Sequence, residues 1–381
     1  MRYEPMRMVR EIQRLYPPER IARSKARLAA VWNLQRPPDS IPFICSGVPV
    51  DSDIDGSEAY EAGLPREQFL QLQLEQIIAR APLDDDFIPS LFPGCRQGLI
   101  PTAYGAEEEL IDHHYWVKPM LEDARQAYEL GRPDLSRDGV AGEILENTRY
   151  FRHATEGCIP IQMPDMQGPL DLASNMLTTE KLMTDMYDYP EAVHYLLGRM
   201  TEDFITYMRL QDEASGHTTV PIHCPPTMWL PHGHAMSLSE DLMAVMSPRL
   251  YPDFARRYNE RIAAEYGRVV IHTCGSGEHN LTELAKTKGL LAFDFGISET
   301  SMERVADQFG SSVVILPHPS GMSIHGLPIL KPAEMVDTVF TMVRERDLRV
   351  ILLVGNEPEC SVQDCIEFSR EVHARAAWPL N

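Results

Sequence analysis

The stretch RVVIHTCG, running from Arg268 to Gly275, decides how this chain is read. Val269, Val270 and Ile271 are β-branched and lead straight into His272, Thr273 and Cys274. A short apolar run closed by a glycine predicts a buried strand rather than a helix. The reactive pair at its end predicts where the strand lies. In a parallel barrel the chemistry gathers at the C-terminal ends of the strands.

Other runs share this character. LLAFDF (290–295), SVVILP (312–317) and RVILLV (349–354) are predicted strands, and IPFICSG (41–47), CIPIQM (158–163) and TTVPIHC (218–224) are shorter ones. Helical periodicity fills the intervals at 66–81, at 179–214 with a break at Pro190, and at 248–267, which Pro248 starts. Residues 1–40 read as helix, through ERIARSKARLAAVWNL, and QRPPDS ends it. Strands alternating with helices imply a parallel sheet. Roughly eight such units close into a (β/α)8 TIM barrel. The predicted organisation is an N-terminal helical extension over 1–40 and a barrel over 41–381. A doubly wound open sheet is the alternative, but no Gly-x-Gly-x-x-Gly follows a first strand.

The bulk numbers fit this. Hydrophobic residues make up 44% and charged residues 24% of 381, enough for a large core. The formal charge of −21 argues against nucleic acid or an anionic membrane as partner. No apolar run reaches the roughly 18 residues of a membrane span. The first residues, Arg-rich but carrying Glu4, Glu11, Pro17 and Pro18, lack the apolar core of a secretory signal. Seven scattered cysteines (45, 95, 158, 224, 274, 360 and 365) suggest free thiols in a reducing cytoplasm.

Polar residues recur at the predicted strand ends. They are His223 and Cys224, His272 and Cys274, Asp294, His318, and Asn356 with Cys360 just beyond. Any single one reads equally well as a helix cap or a loop anchor. Imidazole nitrogen and thiolate sulfur, however, are the donors zinc prefers, and a site needs a third protein ligand. Cys360, after the last strand, is the expected third. Cys365 is expected in the core, and Cys45, Cys95 and Cys158 as small buried residues. His232 and His234 form a weaker His-x-His pair. His113, His114 and Trp116 either line a substrate face or pack on the barrel.

Five motifs in order give the chain a resemblance to the uroporphyrinogen decarboxylase-like superfamily. KARLAAVWNLQRPPDSIPF resembles its first helix and strand, and MPDMQGPLDLASNM its Gln-Gly-Pro turn. MTDMYDYPEAVHYLLGRMTEDFITYM resembles a helix pair, LSEDLMAVMSPRLYPDFARRYNERI an acidic loop and helix, and VVIHTCG a His-x-Cys-Gly strand. The resemblance implies a (β/α)8 barrel. The decarboxylase itself carries an N-terminal Arg-Gln-Ala-Gly-Arg-Tyr segment, which is not found here. The cobalamin-linked methyltransferase branch holds zinc with His-x-Cys and a late Cys. His272 and Cys274 match; Asn356 stands at the late position, with Cys360 four residues on.

What the resemblance implies is a methyltransferase. It would move a methyl group between a small methylated substrate or thiol and a corrinoid protein, with zinc held by His272, Cys274 and Cys360. The corrinoid would come from a partner, since no Asp-x-His-x-x-Gly is present. Glu240 and Asp241, on the SLSEDL loop, are expected as a further carboxylate ligand or general acid, or as a solvated cap. His318 is expected to donate a hydrogen bond to a leaving oxygen. A homodimer is the family-level expectation. Metal-free decarboxylation of a porphyrinogen-like substrate and simple small-molecule binding are the alternatives.

Overall fold

The computed structural model describes residues 4–48, 63–94, 96–111, 114–222, 228–355 and 360–378. Its frame is a ring of parallel pairings. Strand β1 (Phe43–Cys45) is followed by an antiparallel hairpin of β2 (Glu108–Ile111) and β3 (His114–Val117), which lies outside the ring. Then come β4 (Met236–Ser239), β5 (Val269–Thr273), β6 (Leu290–Gly296), β7 (Val314–His318), β8 (Arg349–Val350) and β9 (Leu352–Val354). Strands β4 to β8 form one parallel sheet in sequence order. β9 pairs in parallel with β1.

Short staves bridge the remaining arc. The Asp86 amide donates to the Phe43 carbonyl at 2.9 Å. Leu91 pairs with Ile161 and Gln162 with Val220, both in parallel. The Ser237 amide donates to Pro221 O at 3.1 Å, and Gln167 pairs with Ser239 further along. The pairings return to their start, so the sheet is an α/β barrel of the predicted class. Residues 220–222 lie between the segment at 161–162 and β4. Prolines explain why these staves are so short, because Pro160 and Pro221 offer no amide to a ladder.

Local structure departs from the sequence reading in places. The N-terminal helix is two helices, Pro5–Leu15 and Pro18–Trp32, because Pro17 and Pro18 cannot continue the first. Their buried faces, Val9, Ile12, Leu28 and Trp32, belong to the same core as the barrel. The helix expected from Pro248 begins later. A wide turn spans Pro252–Arg256 and the regular helix is Arg257–Tyr266. β4 and the β2–β3 hairpin were not expected; MSLS has no β-branched residue to signal a strand. The helical stretch of 179–214 does break at Pro190 as expected, into Thr179–Asp188 and Pro190–Ser215, with Gly216 closing the second at φ 74°. Among the described residues no helix is long and apolar enough to cross a membrane.

Candidate functional site

Register assembles the cluster at the mouth. In the parallel pairing His272 lies opposite Ser239 on one side and Asp294 on the other. Side chains alternate along a strand, so directly paired residues share a face. His318 pairs with Gly296, two residues past Asp294, and so falls on that same face. The chain thus brings an imidazole, a carboxylate and a second imidazole to adjacent strand ends.

The contacts are specific. His272 Nδ1 lies 2.9 Å from Asp294 Oδ2, and its Nε2 lies 3.3 Å from Cys274 Sγ. The Cys274 amide donates to Asp241 Oδ1 at 2.7 Å. Donor atoms of Asp241, His272 and Cys274 all lie within 4.8 Å of one another. So do those of His272, Asp294 and His318. The rings of His272 and His318 stack, with centroids 5.5 Å apart.

The expected residues divide. His272, Cys274, Asp241 and His318 come together, and Cys360 is in neither group. Its Sγ lies 3.2 Å from Cys365 Sγ, because Cys360 sits just before the helix Val362–Ala376, which carries Cys365. Among the described residues the third donor beside His272 and Cys274 is therefore Asp241. Burial and the Cys360 hydrogen bond push the Cys365 thiol up to about 12, so Cys365 is a neutral core thiol, as expected. Cys45 is buried as expected, but Cys158 is exposed, in the turn after the helix Gly139–Ala154. Glu240 lies behind the cluster rather than in it. Its carboxylate is fully buried and accepts from Tyr251 Oη at 2.7 Å and from Asn259 Nδ2 at 2.7 Å. The histidines of HGHAM separate: His232 bonds Asp212 and His234 the Trp32 carbonyl. Trp116 is half-exposed on the outer hairpin, and β3 carries the exposed His114. His113, His223, Cys224, Cys95 and Asn356 lie outside the described residues.

Two supporting carboxylates escaped the sequence reading. Asp171, in the first turn of the helix Pro169–Met176, accepts the amides of Asp241 at 2.7 Å and Leu242 at 3.0 Å. Burial, then the charge of Asp241, holds its pKa well above the usual carboxylate range. Glu299 accepts from the Gly275 amide and the Ser320 hydroxyl, and so ties the turn after Cys274 to the loop after His318. In sequence each reads as an ordinary polar residue. The available signal was an aspartate inside the apolar PLDLA and a glutamate following a strand-ending glycine.

Glu240 yields a pH prediction. Burial pushes its pKa up to about 7 from 4.5. The folded chain then holds a proton that the unfolded chain has lost between those values, so stability falls as pH rises from about 4.5 through 7. Glu240→Gln is expected to remove this slope and to be the more stable protein at pH 8, by on the order of 3 kcal/mol. Urea midpoints at pH 5 and 8 measure it. An unchanged slope would show that Glu240 titrates normally.

A parallel α/β barrel with reactive side chains converging at the strand C-termini defines an enzyme-type fold. A family model described as uroporphyrinogen decarboxylase (URO-D) matches residues 99–221. The uroporphyrinogen decarboxylase of Xanthomonas euvesicatoria pv. vesicatoria is 22% identical over 255 residues, 63% of this chain and 66% of that one. That of Hydrogenovibrio crunogenus is 24% identical over 204 residues, 49% of this chain and 51% of that one. The chain thus spans less than two thirds of the length of these relatives. A solved methyltransferase from Methanosarcina mazei matches in fold with a TM-score of 0.64 at 17% identity, covering 91% of this chain and 98% of that one. The chain is thus similar to the uroporphyrinogen decarboxylase-like superfamily, through the family match over residues 99–221 and the sequence relatives.

Proposed function

We propose that the chain is a methyltransferase that moves a methyl group between a small methylated substrate or thiol and a corrinoid protein, using zinc at the barrel mouth. The observation that carries this reading is the His272–Cys274 pair with the Asp241 carboxylate in reach. The donor set fits zinc: one nitrogen, one sulfur and one oxygen, leaving a coordination position open. The surroundings fit too. Asp294 holds the far nitrogen of His272, the outer-shell carboxylate that orients a metal-bound imidazole. Zinc, when bound, lowers the pKa of a coordinated thiol and makes a nucleophile available near neutral pH.

The chain's own residues do the rest. Asp171 holds the backbone of 241–242 and so fixes the Asp241 carboxylate. Glu299 holds the turn at Gly275 and so fixes the Cys274 thiol. The corrinoid, carried by a separate protein, would approach over the strand ends.

Metal analysis combined with alkylation tests this reading. About one zinc per chain is expected, with Cys274 resistant to iodoacetamide until a chelator removes the metal. No zinc, or a Cys274 that alkylates equally with and without chelator, would overturn it. The runner-up, decarboxylation without metal, is favoured by the names of the sequence relatives. Against it stands the acidic mouth, where Asp241, Asp294 and Glu299 would repel a polycarboxylate.

A further inference from the structure

The mouth holds a second convergence of donors that uses no sulfur. His318 Nδ1 lies 2.9 Å from the Pro319 carbonyl oxygen. A carbonyl only accepts, so Nδ1 carries the hydrogen and Nε2 of the neutral ring carries the lone pair. That Nε2 is buried and has no hydrogen-bond partner among the described residues. A buried polar atom left in this way needs an explanation. Facing it at 3.8 Å is Asp294 Oδ1, another acceptor. The gap is too long for a hydrogen bond. It is a few tenths of an ångström beyond the roughly 3.4 Å that separates two ligand atoms each about 2.1 Å from one tetrahedral ion, a difference that a small side-chain rotation closes. The other oxygen of Asp294 lies 2.9 Å from His272 Nδ1.

We propose that His272, Asp294 and His318 are a second metal set, for a divalent first-row ion bound through two nitrogens and an oxygen. Two histidines and one carboxylate with open positions suit Fe²⁺, Mn²⁺ or Co²⁺, whereas the set containing Cys274 suits zinc. The two sets share His272 and exclude each other. In the sulfur set His272 binds through Nε2, and its Nδ1–H is held by Asp294. In the sulfur-free set it binds through Nδ1, and its Nε2–H faces Cys274 Sγ, 3.3 Å away. Each arrangement leaves the histidine's other nitrogen with a partner, the condition that fixes a ligand tautomer. His318 meets the same condition through Pro319. The inference needs neither methyl transfer nor the sulfur set.

The experiment is a Co²⁺ titration of metal-free protein followed by electronic absorption. A sulfur-to-cobalt charge-transfer band in the near ultraviolet reports Cys274 ligation, and its presence or absence in the unmutated chain bears only on the zinc reading above. Cys274→Ser tests the second set. It is expected to bind one Co²⁺ per chain without the band, and adding His318→Ala is expected to weaken that binding at least about 100-fold. Cys274→Ala is carried as a second background, with folding of each variant checked by circular dichroism. Folded Cys274→Ser and Cys274→Ala chains that bind no Co²⁺, or that bind it unchanged after His318→Ala, would overturn the proposal.

Discussion

His272→Ala is expected to lower metal affinity more than about 100-fold, and Asp294→Asn by about 10- to 100-fold. The first removes a ligand that either donor set requires. In the set containing Cys274 the second leaves the ligand in place but takes the charge from the carboxylate that holds its Nδ1 at 2.9 Å. Methyl transfer should fall in the same order. The order is the informative part, because a purely structural role for both residues would lower stability without separating the two variants in affinity. Competition with a chromophoric chelator measures it. Equal affinity in wild type and His272→Ala would remove His272 from the site.

The largest expected stability effect lies away from the mouth. Arg27, only 4% exposed, grips Asp39 through Nε at 2.7 Å and Nη2 at 2.6 Å, and reaches Asp86 through Nη1 at 3.1 Å. Asp86 is fully buried, and burial pushes its pKa up to about 6 even with the guanidinium present. Its amide is the bond that joins the second stave to β1. Arg27→Met leaves a buried carboxylate without its cation, which costs about 3–5 kcal/mol. Adding Asp86→Asn should recover part of the loss, because the stranded charge is then gone. Urea unfolding of the single and double variants measures both steps. A loss under about 1 kcal/mol, the scale of an exposed pair, would show that the pair is solvated.

Some of this was legible in the sequence and some was not, for physical reasons. β5, β6 and β7 announced themselves because a strand buried on both faces must be apolar throughout. The Gln167 and Val220 staves did not, because single bridges interrupted by proline carry no periodicity. The candidate site was half visible. His272, Cys274 and His318 stand at strand ends, where a barrel puts its chemistry. Asp241 was named beside Glu240, but nothing in SLSEDL shows which carboxylate points at the mouth and which is buried against Tyr251 and Asn259. Asp171 and Glu299 act through backbone amides distant in sequence, 70 and 24 residues away in the bonds that matter. Contacts of that kind leave no local pattern. Cys360 was chosen by position along the chain, yet the following helix turns it toward Cys365.

The central claim is methyl transfer at this mouth. The most direct test incubates the protein, loaded with zinc, with methylcobalamin and a small thiol, and follows the corrinoid spectrum together with the methyl thioether formed. The expected result is catalysed loss of the methylcobalamin spectrum, thioether in equal amount, and neither in His272→Ala. No demethylation by zinc-loaded wild type across a panel of thiols, with carbon dioxide released instead from a carboxylated porphyrinogen, would contradict it.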